Sequence, residues 1–183
     1  MSRFRRRLPA NVRARPRRPV RFIWSAEEAW ELLPACYESG IVGLDIETLM
    51  DCKTWCLSQI ALPDFTAIVD MLAFDARRPI ARLAEDGRIV KVAHNASFER
   101  SVLRKYGIGL ENVFDTLVHS RRRRGRVKGG HSLGAVCRRE LGLVMDKSWW
   151  SADWRRRPLP RPMYDYAALD AEVLLDLHRI FRR

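Results

Sequence analysis

The sequence predicts an α/β domain built on a mixed β-sheet. A block of short apolar runs with turn signals comes first, and helices alternating with further runs follow it, an order that points to a mixed sheet with helices packed on it. The 183 residues, 47% of them hydrophobic, are enough for one core of ordinary size. No apolar run approaches the ~20 residues that span a bilayer, and no apolar stretch of a signal peptide follows Met1. The expectation is a cytoplasmic protein with no membrane partner.

Residues 1–21 form a basic arm, with Arg3, Arg5, Arg6, Arg7, Arg13, Arg15, Arg17, Arg18 and Arg21 and three prolines, and no acid precedes Glu27. It lacks apolar periodicity and is expected to lie on the surface or to order on a partner. The folded domain, 22–183, is entered through a short strand at Val20–Trp24. Ser25 is a good N-cap for a helix from Ala26 towards Tyr37, with Glu28 three positions after the cap and Pro34 as a point of kinking. Ser39-Gly40 ends it, and Ile41–Glu47 follows as a strand. Trp55–Leu62 and Phe65–Val69 flank Pro63-Asp64 as a hairpin. A helix near Pro79–Ala84, a strand Ile89–Ala93 and a helix Ala96–Tyr106 capped by Asn95 come next. An extended segment begins at Asn112, Ser132–Leu141 reads as a helix closed by Gly142, and a last helix runs from Met163 to Phe181.

The charge balance points to a polyanionic partner, above all nucleic acid. Thirty-four Lys and Arg against 22 Asp and Glu leave a net +12, and only five of the bases are lysines. Arg121–Arg124 with Arg126 and Lys128 form a second basic cluster, read as phosphate contacts or as a solvated loop. Cys36, Cys52, Cys56 and Cys137 are too few for a disulfide framework and read as free thiols. Cys52 and Cys56 lack the further pair that would complete a zinc site.

The informative acids stand where apolar residues belong. In Ile41–Glu47, Val42, Leu44 and Ile46 share one face of the strand, while Asp45 and Glu47 share the other. Two carboxylates side by side at the end of an apolar strand repel each other and lose hydration unless they share a cation. On the last helix Asp170 interrupts the stripe of Tyr166, Val173, Leu174, Leu177 and Phe181, one turn from the Tyr166 phenol. On the helix after the strand Ile89–Ala93, Glu99 sits beside Val102, Leu103 and Tyr106. Each acid alone fits a solvated strand end or an internal hydrogen bond. Three separate elements making the same choice fit an all-oxygen site for Mg²⁺ or Mn²⁺, with two ions suited to phosphoryl transfer.

The order Asp45-x-Glu47, His94-Asn95-Ala96-x-Phe98-Glu99, Tyr166-x-x-x-Asp170 resembles the DEDD superfamily of 3′→5′ exonucleases, in its tyrosine-bearing branch. Leu133 to Leu177 is similar to ribonuclease D through Leu141-Gly142, Asp146-Lys147-Ser148, Ser151-x-Asp153-Trp154, Arg157-Pro158-Leu159 and Tyr166–Ala171; Phe114-Asp115-Thr116 adds to the match. The resemblance covers about residues 40–180. It implies an RNase-H-like mixed sheet flanked by helices. It also implies two divalent ions, Mg²⁺ or Mn²⁺, held by Asp45, Glu47, Glu99 and Asp170, with Tyr166 orienting the attacking water. Thr48, His94, Asn95, Phe98 and Trp154 are implied as substrate contacts. The activity implied is removal of nucleoside 5′-monophosphates from the 3′ ends of single-stranded or short nucleic acid, RNA ahead of DNA.

Two departures stand out. Glu99 occupies a position where the family has Asp, and the added methylene moves the carboxylate by about 1.5 Å, one carbon–carbon bond. Trp149-Trp150 replaces a polar run and offers rings for a base or an interface. The small single-domain relatives implied by the chain's extent include forms that assemble into rings, so a homo-oligomer is an expectation. A proofreading-like DNA exonuclease and a non-catalytic module that binds 3′ ends are the other functions compatible with these residues.

Overall fold

The computed structural model describes residues 14–49 and 54–183. Six strands form one mixed sheet in the order β1-β4-β3-β2-β5-β6: β1 (Val20–Ile23), β2 (Ile41–Thr48), β3 (Trp55–Ala61), β4 (Thr66–Asp70), β5 (Val90–Ala93) and β6 (Val113–Asp115). The β2-β3-β4 meander is antiparallel, while β1 joins β4, and β5 and β6 join beyond β2, in parallel. The mixed-sheet α/β architecture is thus the observed one.

Two helical layers cover the sheet. On one face α1 (Ala26–Ser39), α2 (Arg77–Ala84) and α3 (Ser97–Arg104) pack Leu32, Leu33, Ile80, Leu83, Val102 and Leu103 onto Val42, Leu44 and Ile46 of β2. The other face is crossed by α6 (Arg161–Phe181), whose Ala167, Ala168, Ala171 and Leu174 lie against β3, β4 and β5. The small residues let this long helix approach closely. Gly43 of β2 is the tightest point, since a Cβ built there would stand 2.4 Å from the Ala171 carbonyl oxygen. Between α3 and α6 along the chain come α4 (Thr116–Arg124), and α5 (Leu133–Val136) running into a π-helical turn at Cys137–Leu141 that packs against α6.

Local signals explain most element ends. Ser25 accepts from the Glu28 N–H at 3.2 Å, and the Glu28 carboxylate accepts from the Trp24 N–H at 2.7 Å, so the start of α1 is capped from both directions. Pro34 lies within α1 without ending it, and Gly40, at φ +62°, closes the helix after Ser39, where the sequence places its end. Three readings of the sequence need correction. Asn95 does not cap α3 with its side chain: it takes a left-handed backbone, φ +70°, and Asp115 accepts from the Asn95 and Ala96 N–H groups, each at 3.0 Å. The helix is also shorter than Ala96–Tyr106. The solvated-loop alternative for Arg121–Arg124 also fails: they form the last turn of α4, whose N-terminus is capped by Asp115, its carboxylate accepting from the Leu117 N–H at 2.8 Å.

The described part of the basic arm is docked. The Ala14 N–H donates to the Val144 carbonyl at 2.9 Å. Arg17 donates through its backbone N–H (3.0 Å) and its Nε (2.9 Å) to Glu172, and the Arg18 N–H follows at 3.1 Å. The Arg17 guanidinium also contacts Asp176. Residues 1–13 lie outside the described residues, as does Cys52, and with it the Cys52–Cys56 pair; Cys36, Cys56 and Cys137 are buried and free. Among the described residues, no helix is long and apolar enough to cross a membrane.

Candidate active site

Strand periodicity and sheet register place the first two acids. Asp45 and Glu47 point from β2 towards α6, away from the Val42, Leu44 and Ile46 face. The helix brings Asp170 down between them. One carboxylate oxygen from each of Asp45, Glu47 and Asp170 lies within 4.8 Å of the other two. Tyr166, one turn before Asp170, donates its hydroxyl to the Asp170 carboxylate.

Glu99 approaches from the start of α3, beyond the end of β5, and is buried to 1% exposure. It is not a member of the 4.8 Å cluster, so the structure closes three corners of the expected four. It is still coupled to the cluster: burial first and the Asp45 charge second raise the Glu99 carboxyl well above the carboxylate range, and the Glu99 charge in turn helps raise Glu47. Its Oε2 is buried with no hydrogen-bond partner among the described residues.

The electrostatics of the cluster are those of acids lacking a counter-charge. Burial pushes Asp45 up to about 7, against the Ile46 backbone N–H that favours its charged form. Glu47 is raised by burial and then by the charges of Asp45, Asp170 and Glu99. Asp170 is raised by burial and by Asp45, while the Tyr166 hydroxyl favours its charged form. A divalent cation relieves both the repulsion and the lost hydration. Hard oxygen donors converging from two elements, with an orphaned buried oxygen on a third, fit Mg²⁺ or Mn²⁺ and do not fit zinc. Tyr166 is raised by burial and by neighbouring acids, so its phenol is neutral at pH 7.

The residues expected to touch substrate divide. Thr48 ends β2 next to Glu47 and donates its hydroxyl to the Leu49 carbonyl at 2.9 Å. Asn95 is exposed at the β5–α3 turn, and Phe98 is half-buried against the core. His94 uses both ring nitrogens internally, at 2.8 Å from Thr116 Oγ1 and 2.9 Å from the His131 carbonyl, and burial lowers its pKa. It organises the turn. Trp154 is a correction: it is wholly buried, packed with Leu159 and Met163, and has no face for a base. The loop that carries it is fastened by Arg157, whose guanidinium takes both oxygens of Asp70 at 2.5 and 2.6 Å.

A cavity of about 340 Å³ opens beside Asp170 and Tyr166, and it is lined by Ser132, Met145, Lys147 and Trp150. Of these four, Trp150 alone was raised from sequence, as a ring for a base or an interface. The signal for two of them was present in the Asp146-Lys147-Ser148 and Trp149-Trp150 runs. Their approach to Asp170 depends on how the 142–160 segment folds back over α6.

The geometry agrees with comparisons to known proteins. A family model described as 3′-5′ exonuclease matches residues 20–183. DNA polymerase I of Aquifex aeolicus is 34% identical over 141 residues, 76% of this chain and 23% of its own length. Ribonuclease D of Bartonella henselae is 29% identical over 153 residues, 79% of this chain and 36% of its own. The catalytic core of RRP6 from Trypanosoma brucei superposes with a TM-score of 0.79 at 26% identity, covering 91% of this chain and 47% of that one. The chain therefore spans about a third or less of the length of these two curated relatives.

Proposed function

The chain belongs to the 3′-5′ exonuclease family, and from that premise we propose that it removes nucleoside 5′-monophosphates from the 3′ end of single-stranded or short RNA. The observation that carries the proposal is the convergence of Asp45, Glu47 and Asp170 within 4.8 Å. These three acids, with Glu99 behind Asp45, would hold two divalent cations, which supply Lewis acidity to water and to the leaving 3′ oxygen. The chain's own groups do the positioning. Tyr166 is held by Asp170 at the mouth of the cavity, and its neutral hydroxyl orients the attacking water rather than taking its proton. Lys147, on the wall of that cavity, offers a point charge to a phosphate.

RNA is favoured by the likeness of the 133–177 segment to ribonuclease D. A DNA substrate is the second reading, favoured by the 34% identity to a DNA polymerase I. Incubating 5′-labelled RNA and DNA oligomers with Mg²⁺ or Mn²⁺ tests both. The expected result is a ladder shortening from the 3′ end, faster on RNA, that is lost in Asp45→Ala. Binding without shortening in either metal would overturn the catalytic reading, and faster shortening of DNA would reverse the substrate preference.

A further inference from the structure

We propose that the N-terminal arm completes a second nucleotide subsite, which grips the single-stranded chain upstream of the 3′ nucleotide. The inference rests on the nuclease reading above and extends it to a surface that the four acids do not use. Tyr166 separates two cavities. One holds Asp170. The other, about 410 Å³, also has Tyr166 in its wall, together with Ala14 and Arg15 of the arm, Trp149, and Leu169 and the Arg161–Asp165 pair of α6, 2.9 Å apart. That volume is in the range of ligand sites. Met145 and Asp146 border both cavities, so the two are neighbours along one path.

The arm is placed there by two anchors that have no part in the chemistry. Downstream, Arg17 and Arg18 are held by Glu172 and Asp176, acids of α6 that are buried at 0% and 9% exposure. Upstream, the Ala14 N–H is held by Val144. Arg15 lies between the two anchors and is exposed. An arginine held on both sides along the backbone, with no partner for its head among the described residues, suits a phosphodiester, which takes a guanidinium in two-point fashion. Trp149 is half-buried, packed against the core beside Tyr166. An indole in that setting is a stacking platform for any base. Guanidinium, indole and an apolar floor at Leu169 are the components of sequence-tolerant single-strand binding. A strand with its 3′ end at the acids passes Tyr166 and enters this second cavity one nucleotide further up.

Binding and cleavage are measured separately, so that failure of the subsite and failure of the nuclease reading are distinguishable. Fluorescence anisotropy of a labelled RNA heptamer is followed with the full chain in EDTA, across a range of salt. Arg15→Ala is expected to raise Kd about fivefold and to flatten the slope of log Kd against log salt by about 0.7, one phosphate contact on a single strand. Trp149→Ala is expected to raise Kd roughly tenfold, with Trp149→Phe restoring most of it. Arg78→Ala on α2 removes the same charge from another surface and controls for net charge. Equal Kd and slope in wild type and Arg15→Ala would overturn the subsite. So would a loss in Arg78→Ala as large as that in Arg15→Ala. If Arg15 governs binding while Mg²⁺ and Mn²⁺ give no shortening in wild type, the subsite stands and the nuclease reading fails.

Discussion

Gly43→Ala should separate packing from chemistry at the point where β2 meets α6. The new Cβ would stand 2.4 Å from the Ala171 carbonyl oxygen, 3.3 Å from its carbonyl carbon and 3.2 Å from Ala61 Cβ. A carbon–oxygen contact needs about 3.2 Å, so strand and helix must part by roughly 0.8 Å. The contact is backbone, and no rotamer change can relieve it. Asp170 is the residue before Ala171, and Asp45 is two residues from Gly43, so the separation opens the acid cluster directly. Overpacking of this kind costs about 1–3 kcal/mol, partly offset by the smaller conformational freedom of alanine in the unfolded chain. In a chain of this length that is on the order of 5 °C in Tm. Displacing catalytic groups by close to 1 Å costs roughly 100-fold in rate. The assays are calorimetry with and without Mn²⁺, and turnover of a 5′-labelled oligomer. Turnover should fall far more than the folded fraction at the assay temperature, and the Tm rise given by Mn²⁺ should shrink. A variant with wild-type Tm and wild-type turnover would refute the close approach of β2 and α6.

The metal-free protein should lose stability as pH rises. Asp45 is held at about 7 in the folded state, above its unfolded value near 3.9, so its contribution is present at pH 4 and is lost as pH passes 7, on the order of 4 kcal/mol at most. Urea melts in EDTA at pH 5 and pH 8 check this, and equal or greater stability at pH 8 contradicts it. Mn²⁺ should reverse the trend, because the ionised acids bind it better. Glu99→Asp shortens the side chain by about 1.5 Å and should raise the ratio of Mg²⁺- to Mn²⁺-supported rate; an unchanged ratio rejects the length argument. Gln59, across the sheet from Asp45, is wholly buried with neither amide atom partnered among the described residues. Gln59→Leu should therefore leave stability unchanged or raise it by about 1 kcal/mol, and a loss above about 2 kcal/mol would reveal a partner for the amide.

The site was legible where it depends on periodicity and illegible where it depends on contacts between distant segments. Asp45 and Glu47 are marked by the two-residue period of a strand, and Asp170 by the 3.6-residue stripe of α6. Asn95 has the chemistry of a cap, but Asp115, twenty residues on, holds the N–H groups of the turn that leads into α3, and that is visible only once β5 and β6 are side by side. Trp154 is written like a surface aromatic among charges, and it is buried because Arg157 reaches back 87 residues to Asp70. The docking of the arm was illegible for the same reason. Its composition describes a polycation for the surface or for a partner, while the acids that hold its described part lie about 155 residues later, on a helix whose apolar stripe conceals them.

α6 shows what distinguishes a functional acid from a structural one. It carries three buried or half-buried acids within two turns, Asp170, Glu172 and Asp176. Hydrophobic patterning treats them alike, since each interrupts an apolar helix. Their counter-charges differ. Glu172 and Asp176 meet the guanidinium groups of Arg17 and Arg18, and the chain closes that charge balance internally. Asp170 meets Asp45 and Glu47, Asp45 deepens its deficit, and among the described residues only the Tyr166 hydroxyl favours its charge. Folding alone gives no reason to gather three acids there. A cation does, and the same reasoning gives Glu172 and Asp176 their role: they hold the arm against α6, next to the cavity beyond Tyr166. Exchanging the two kinds of acid is thus a test of the logic. Glu172→Gln should loosen the arm and weaken RNA binding while leaving the Mn²⁺-induced rise in Tm, and Asp170→Asn should abolish that rise while leaving the arm in place.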